Sequence, residues 1–177
     1  MEIRTEQAAD RAAVDAVEER AFSGSGVQIV ALVGALRETP DALSLVASRD
    51  GAVVGHAMFS TSLLDAPPRL VPVPVLSPLA VAPEHQRTGV GSALVRRGLA
   101  LLAERGEPLC FLEGDPRYYS RLGFAAAEPL GFRKPSLRIP DAAFQVATLP
   151  AYEPWMTGTL VYHHTFWDLD CVGLREG

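Results

Sequence analysis

Leu79-Ala80-Val81-Ala82-Pro83-Glu84-His85-Gln86-Arg87-Thr88-Gly89-Val90-Gly91-Ser92 is the stretch on which the reading of this chain turns. An apolar, strand-like run ends at Pro83, which cannot donate to a ladder and so suits the exit from a strand. From Val90 onward, Val90, Leu94, Val95, Leu99, Leu101 and Leu102 recur at helical spacing. Arg96, Arg97, Glu104 and Arg105 fall largely between them, as a solvated face would, and Gly106 with Pro108 stops the helix. Gly89 and Gly91 are the odd feature, because each glycine in a helix costs about 1 kcal/mol relative to alanine. Two of them at a helix start, beside Gln86-Arg87-Thr88, mark a place where something approaches the backbone closely. Free N–H groups at a helix start, helped by the dipole, bind anions, phosphate above all. Arg87 adds a fixed charge with bidentate reach, and Thr88 and Ser92 add hydroxyls.

Two familiar phosphate loops are excluded. There is no Gly-x-x-x-x-Gly-Lys-Ser/Thr, and Leu94 stands where a dinucleotide fingerprint needs its third glycine. What matches is Gln86-x-x-Gly89-x-Gly91 after a strand, with Val81-x-Pro83 just upstream. This resembles the acyl-CoA signature of the GNAT family, the GCN5-related N-acetyltransferases. The resemblance implies that the amides of Gln86, Arg87, Thr88, Gly89, Val90, Gly91 and Ser92 hold the pyrophosphate of acetyl-CoA. It implies equally that Leu79, Ala80 and Val81 pair with the pantetheine arm. A second motif, Tyr118-Tyr119-Ser120-Arg121-Leu122-Gly123-Phe124, is similar to the aromatic–Tyr pair and Gly-Phe of the same family. The two motifs span about Leu79 to Phe124. The segment from Asp115 to Tyr162 resembles an uncharacterised bacterial branch of these enzymes, which assigns no substrate.

The 177 residues are read as a single domain, 1–177, long enough for a sizeable core. Hydrophobic residues make up 48% and charged residues 21%, a normal globular balance. The net charge of −5 argues against general nucleic-acid binding. Met1-Glu2-Ile3-Arg4-Thr5-Glu6 is no signal peptide, and no apolar run is long enough for a membrane span. Cys110 and Cys171, far apart, make no disulfide framework. These points predict a cytoplasmic protein with no membrane partner.

Ile3-Arg4 reads as a short strand, Ala8–Phe22 as a helix, and Val27–Glu38 as a second helix. Ser23-Gly24-Ser25-Gly26 between them is either a lid or an ordinary turn. Leu43–Ser48 and Ala52–Ser60 flank Arg49-Asp50-Gly51, a strong hairpin signal. Leu70–Val81 reads as a long strand with a bulge near its prolines. Pro108–Leu112 is a buried strand. Asp115 is a good N-cap ahead of Pro116, and Arg117–Leu122 is a short helix ended by Gly123. Phe132–Ser136 reads as a loop, and Phe144–Thr148 and Gly158–His163 alternate as strands. The expected fold is α/β (α+β) and GNAT-like, a mixed, mostly antiparallel sheet of about six or seven strands flanked by helices. The cofactor strand and Pro108–Leu112 form its expected parallel pair, splayed around the pantetheine.

Acetyl transfer to an amine needs a held donor, a polarised carbonyl, a neutral amine and a proton for the departing thiolate. Tyr119 occupies the family's tyrosine position and is the candidate donor of that proton. For the amine's proton the candidates are Glu113, Asp115, Glu18, Glu19, His56 and His85. Glu113, at the end of the strand beside the cofactor strand, leads them. Asp115 has a capping role to fill, His56 lies within a strand pattern where a histidine is ordinarily satisfied packing, and His85 lies in the loop. A cysteine acyl-enzyme would need a thiolate near a base, and Cys110 reads as core. No metal site is expected: His163 and His164, read as neighbours on a strand, face opposite sides. The expected activity is N-acetylation of a primary amine in a small molecule or peptide, by direct attack in a ternary complex. The alternative is a non-catalytic acyl-CoA sensor on the same fold. A homodimer through the C-terminal strands is compatible with the sequence.

Overall fold

Asp50 and Gly51 take φ of 50° and 81°, the backbone of the two-residue turn that an Asp-Gly pair favours. They join β2 (Leu43–Arg49) to β3 (Ala52–Asp65) in an antiparallel hairpin whose register shifts between Ala47 and Ser48. β1 (Glu2–Thr5) adds to β2, with Ile3 opposite Ala47. A computed structural model describes residues 1–173, and they fall into two compact units. The first contains Met1–Ser60 and Ser77–Gly98, and the second contains Thr61–Leu76 and the described residues from Leu99 to Gly173. β3 and its neighbour β4 (Leu70–Val81) run from one unit into the other.

In the first unit, α1 (Arg11–Ala21) and α2 (Gly26–Arg37) pack together. They bury Val14, Val17, Leu32, Val33 and Leu36, the positions that a one-sided apolar pattern dictates. A 3-10 turn, Ala8–Asp10, precedes α1, and Asp10 is pinned by the Arg4 guanidinium at 2.6 Å. That contact holds the Asp10 carboxyl down at about 2. α3 (Val90–Glu104) sits on β3 through two glycines. A Cβ on Gly98 would come within 2.1 Å of the Phe59 ring, and one on Gly55 within 2.8 Å of Val90. Backbone therefore touches side chain there, and α3 lies closer to the strand than any larger residue would permit.

In the second unit, β5 (Leu109–Glu113) is parallel to β4, with Val75 opposite Phe111, as the sequence suggested. α4 (Pro116–Tyr119) follows, capped by Asp115, whose side chain accepts the Arg117 N–H. β8 (Phe144–Thr148) is antiparallel to β5, and β6 (Ala125–Ala126) is antiparallel to β8. β9 (Gly158–Val161) pairs antiparallel with Leu63–Asp65 of β3, and β7 (Phe132–Arg133) runs parallel to β9. Phe111 stacks on Phe144 at 5.6 Å and meets Phe132 edge-on at 5.1 Å, which centres this core.

The sheet is mixed and mostly antiparallel, but it has nine strands among the described residues rather than six or seven. The additional strands, β6 and β7, have two residues each, too few to show any alternation. Phe132-Arg133 is thus strand and not loop, fixed by its pairing to β9. β3 continues past Ser60 to Asp65, and β9 stops at Val161 instead of His163. His163 caps the short α5 (His164–Asp168), accepting the Thr165 N–H at its Nδ1. Its ring lies 4.4 Å from that of His164, so the two histidines do not face opposite sides. The reason is local: a strand alternates side chains, and a helix cap does not.

Candidate active site

The loop between β4 and α3 builds the first part of the site from backbone. Pro83–His85 forms a 3-10 turn, which Arg20 of α1 braces through a 2.6 Å ion pair to Glu84. Gln86 reaches back, its Nε2 donating to the Val81 carbonyl at 3.1 Å. Thr88 Oγ1 donates to the His85 carbonyl at 2.6 Å. Arg87 and Gly89 take φ of 59° and 87° with Thr88 between them. Gln86 ahead of them is extended, at φ −64° and ψ 153°, so Gln86-Arg87 has the backbone of a type II turn. Gln86, Arg87, Thr88 and Gly89 are all exposed, and a Cβ on Gly89 would meet nothing within 4 Å. The loop leads into the first turn of α3, where Ala93 N–H bonds to the Gly89 carbonyl. The amides of Val90, Gly91 and Ser92 precede that bond, in the first turn where the dipole is positive.

The strand ahead of this loop is seated from behind. Ala80 and Ala82 pack with Val17, Ala21 and Phe22 of α1 and its end, while Leu79 and Val81 are half-buried. Ala82 N–H bonds to the Val54 carbonyl of β3. Within this unit the structure therefore brings together all ten residues expected to hold the cofactor, Leu79–Val81 and Gln86–Ser92. His85 is half-buried, with Nδ1 3.4 Å from Arg49. Glu19 is exposed, and Glu18 and His56 are buried against each other.

The second unit carries the other two expected residues. Tyr119 packs edge-on against Tyr118 at 4.8 Å and against Phe124 at 5.8 Å. Its ring lies over Gly114, where a Cβ would stand 2.4 Å away. No hydrogen bond reaches its hydroxyl among the described residues, and burial raises its pKa, keeping the phenol protonated. The Gly-Phe of the motif is thereby explained: Gly123, at φ 94°, ends the turn and delivers Phe124 to the tyrosine. Glu113 accepts the Tyr162 hydroxyl at 2.6 Å on Oε1 and the Gly173 N–H at 3.1 Å on Oε2. Burial pushes the Glu113 carboxyl up, against those two donors. Cys110 is fully buried in β5, which raises its thiol far out of the reactive range. Sequence reasoning did not find Tyr162 or the Glu18–His56 contact, since neither spacing carries a signal across such separations.

A family model described as an acetyltransferase (GNAT) domain matches residues 2–127, and the chain belongs to this family of N-acetyltransferases. It is 35% identical over 156 residues to the uncharacterised N-acetyltransferase YjhQ of Escherichia coli K12, covering 84% of each chain. It resembles the crystal structure of the GNAT N-acetyltransferase YhbS from Escherichia coli in complex with CoA. That likeness has a TM-score of 0.82 at 33% identity and covers 93% of this chain and 91% of that one. A GNAT acetyltransferase from Brucella melitensis in complex with acetyl-CoA matches with TM-score 0.71 at 33% identity, over 93% and 97% of the two chains. Among the described residues no helix is long and apolar enough to cross a membrane. No group of three or more His, Cys, Asp or Glu among them could hold a metal ion.

Proposed function

We propose that the turn Gln86–Ser92 holds the pyrophosphate of acetyl-CoA, that Leu79–Val81 lines its pantetheine arm, and that the chain transfers the acetyl group directly to a primary amine. One observation carries this reading. An exposed loop with positive φ at Arg87 and Gly89 leads directly into the first turn of α3, and such a helix start suits a phosphate diester. The YhbS and Brucella relatives were crystallised with CoA and acetyl-CoA, which agrees with it. Bound acetyl-CoA supplies an activated acyl group whose carbonyl takes up negative charge as the amine attacks. Tyr119, protonated and without a competing partner among the described residues, is the proposed donor to the departing sulfur. Glu113 is the proposed acceptor of the amine's proton; its burial favours uptake of a proton, although two donors already occupy its oxygens. With Cys110 buried in the core, transfer proceeds without an acyl-cysteine.

We also propose that residues 1–177 act as one acetyltransferase domain, since β3 and β4 each serve both units. Leu63 and Val161 face each other across β3 and β9 and are 37% and 45% exposed, which supports the C-terminal strands as a homodimer contact. A cytoplasmic location agrees with the need for acetyl-CoA and with two cysteines present as thiols.

The test is calorimetric titration with acetyl-CoA and with CoA, on the wild type and on Gly89→Asp. The glycine has open space around it but a φ of 87°, so the variant both strains the loop backbone and sets a carboxylate against phosphate. Micromolar binding that falls at least tenfold in the variant is expected. Equal affinities would move the phosphates elsewhere. Radiolabelled acetyl-CoA should leave no label on the denatured protein, and retained label would replace direct transfer with a covalent route.

A further inference from the structure

Glu18 and His56 are both 0% exposed, and neither has a part in the transfer chemistry above. Glu18 Oε1 lies 2.5 Å from His56 Nδ1. Glu18 Oε2 is buried with no partner among the described residues. On the other side of the ring, His56 Nε2 is 2.9 Å from Ser44 Oγ. Ser44 Oγ in turn donates to Glu6, and Glu6 receives the Arg37 guanidinium at 2.7 and 3.2 Å. Arg37 also contacts Asp15 at 3.2 Å. The groups facing the imidazole are therefore Glu18 and Asp15 from α1, Arg37 from α2, Ser44 from β2 and Glu6 from the turn after β1.

The donors and acceptors in this chain can be counted. Glu6 is occupied by a guanidinium and acts as an acceptor. Ser44 has one hydroxyl proton, which goes to Glu6, so its oxygen must accept from His56 Nε2–H. Nδ1 then faces a carboxylate oxygen at hydrogen-bond distance, and one proton has to lie between them. It makes no difference to the count whether that proton sits on the ring, giving an ion pair, or on Glu18, giving a neutral pair. Without it, two lone pairs would confront each other where no water reaches, at the full cost of an unpaired buried group. Desolvation raises the Glu18 carboxyl, in the same sense.

We propose that Glu18 and His56 share one proton as a clasp that fastens the last turn of α1 to β3, and that the clasp opens as pH rises above the ordinary imidazole range. The ordinary solvent-exposed values are ~4.3 for a glutamate carboxyl and ~6.5 for an imidazole, and these serve as the unfolded reference. Between those values the folded and unfolded states each carry one proton, and the pair contributes no slope. Above ~6.5 the unfolded chain has given up its proton while the folded pair keeps it, so the folded state binds more protons and stability falls as pH rises. The clasp bears on the cofactor strand. Val17, next to Glu18, packs with Ala80 and Ala82, the Glu18 carbonyl accepts the Phe22 N–H at 3.1 Å, and Gly26 closes against Glu19. Opening it frees the end of α1 and the turn at Ser23–Ser25.

Hydrogen exchange of α1 amides, corrected for the intrinsic pH dependence, tests this on the full chain from pH 6 to 9.5. The wild type should lose protection with rising pH, approaching tenfold per pH unit, which is one proton. Glu18→Gln should be flat, because a glutamine amide can donate to a bare Nδ1 without any titrating proton. Equal slopes in the two proteins overturn the clasp. If Glu18→Gln does not fold, the wild type decides alone. Ring ¹⁵N shifts of His56 with the carboxyl ¹³C shift of Glu18 count the protons on the pair at pH 8, where one is expected and none would overturn it.

Discussion

Tyr119 and Glu113 differ in what their polar atoms already do, and that difference separates their variants. The Tyr119 hydroxyl has no partner to lose among the described residues, so Tyr119→Phe should leave thermal stability nearly unchanged. Loss of a proton donor costs on the order of 10²-fold in kcat, read by thiol release against a panel of amines. An unchanged kcat would return the ring to a packing role against Phe124. Glu113→Gln keeps the shape but changes what the oxygens can accept. A base would show as a kcat/KM loss that rising pH partly relieves. A carboxylate that only fastens Tyr162 and Gly173 would show as a lower Tm with kcat/KM intact. At this scale the sequence was informative where chemistry demands a residue type. Glycines 89 and 91, Arg87 and Tyr119 stand out because few other residues would serve the anion loop and the proton donor proposed for them. It was silent on the left-handed backbone of Arg87 and on the meeting of Glu18 with His56, since a side chain's partner across 38 positions leaves no local trace.

Among the elements, α3 is the one whose placement matters most, and Gly98 fixes it. A valine there would drive methyl groups into the buried Phe59 ring, which lies 2.1 Å from the position of the first added carbon. Overpacking of that kind costs about 1–3 kcal/mol. Gly98→Val should therefore lower the denaturation midpoint and weaken acetyl-CoA binding together, since the helix cannot be lifted without tilting its first turn. A stability loss with unchanged affinity would show that the loop is held independently of the helix. The long elements were legible from periodicity: α1, α2, α3, β2 and β8 lie within a few residues of the positions their patterns imply. β6 falls in the extended run that the sequence starts at Phe124, whereas β7 and α5 were not legible, because two strand residues or one helical turn carry no period. They exist through pairing and capping with distant chain, which is tertiary context overriding local preference.

Taken whole, the molecule is acidic, with a net charge of −5, yet its proposed cofactor is an anion. In the proposed site the compensation is local, in the Arg87 side chain and the amides at the head of α3, and net charge therefore says little about the ligand. Assembly also belongs to this scale. If Leu63 and Val161 meet a second copy, light scattering should give twice the monomer mass of 19.0 kDa, and Val161→Glu should halve it. A monomeric wild type would remove the homodimer. The contact between Gly98 and Phe59 has one more consequence. A helix seated with its backbone on a ring has little freedom to roll, so the amides at its head are aimed before the anion proposed for them would arrive. Their orientational entropy is settled during folding instead of at the moment of binding, and such preorganised sites keep more of their interaction energy as affinity.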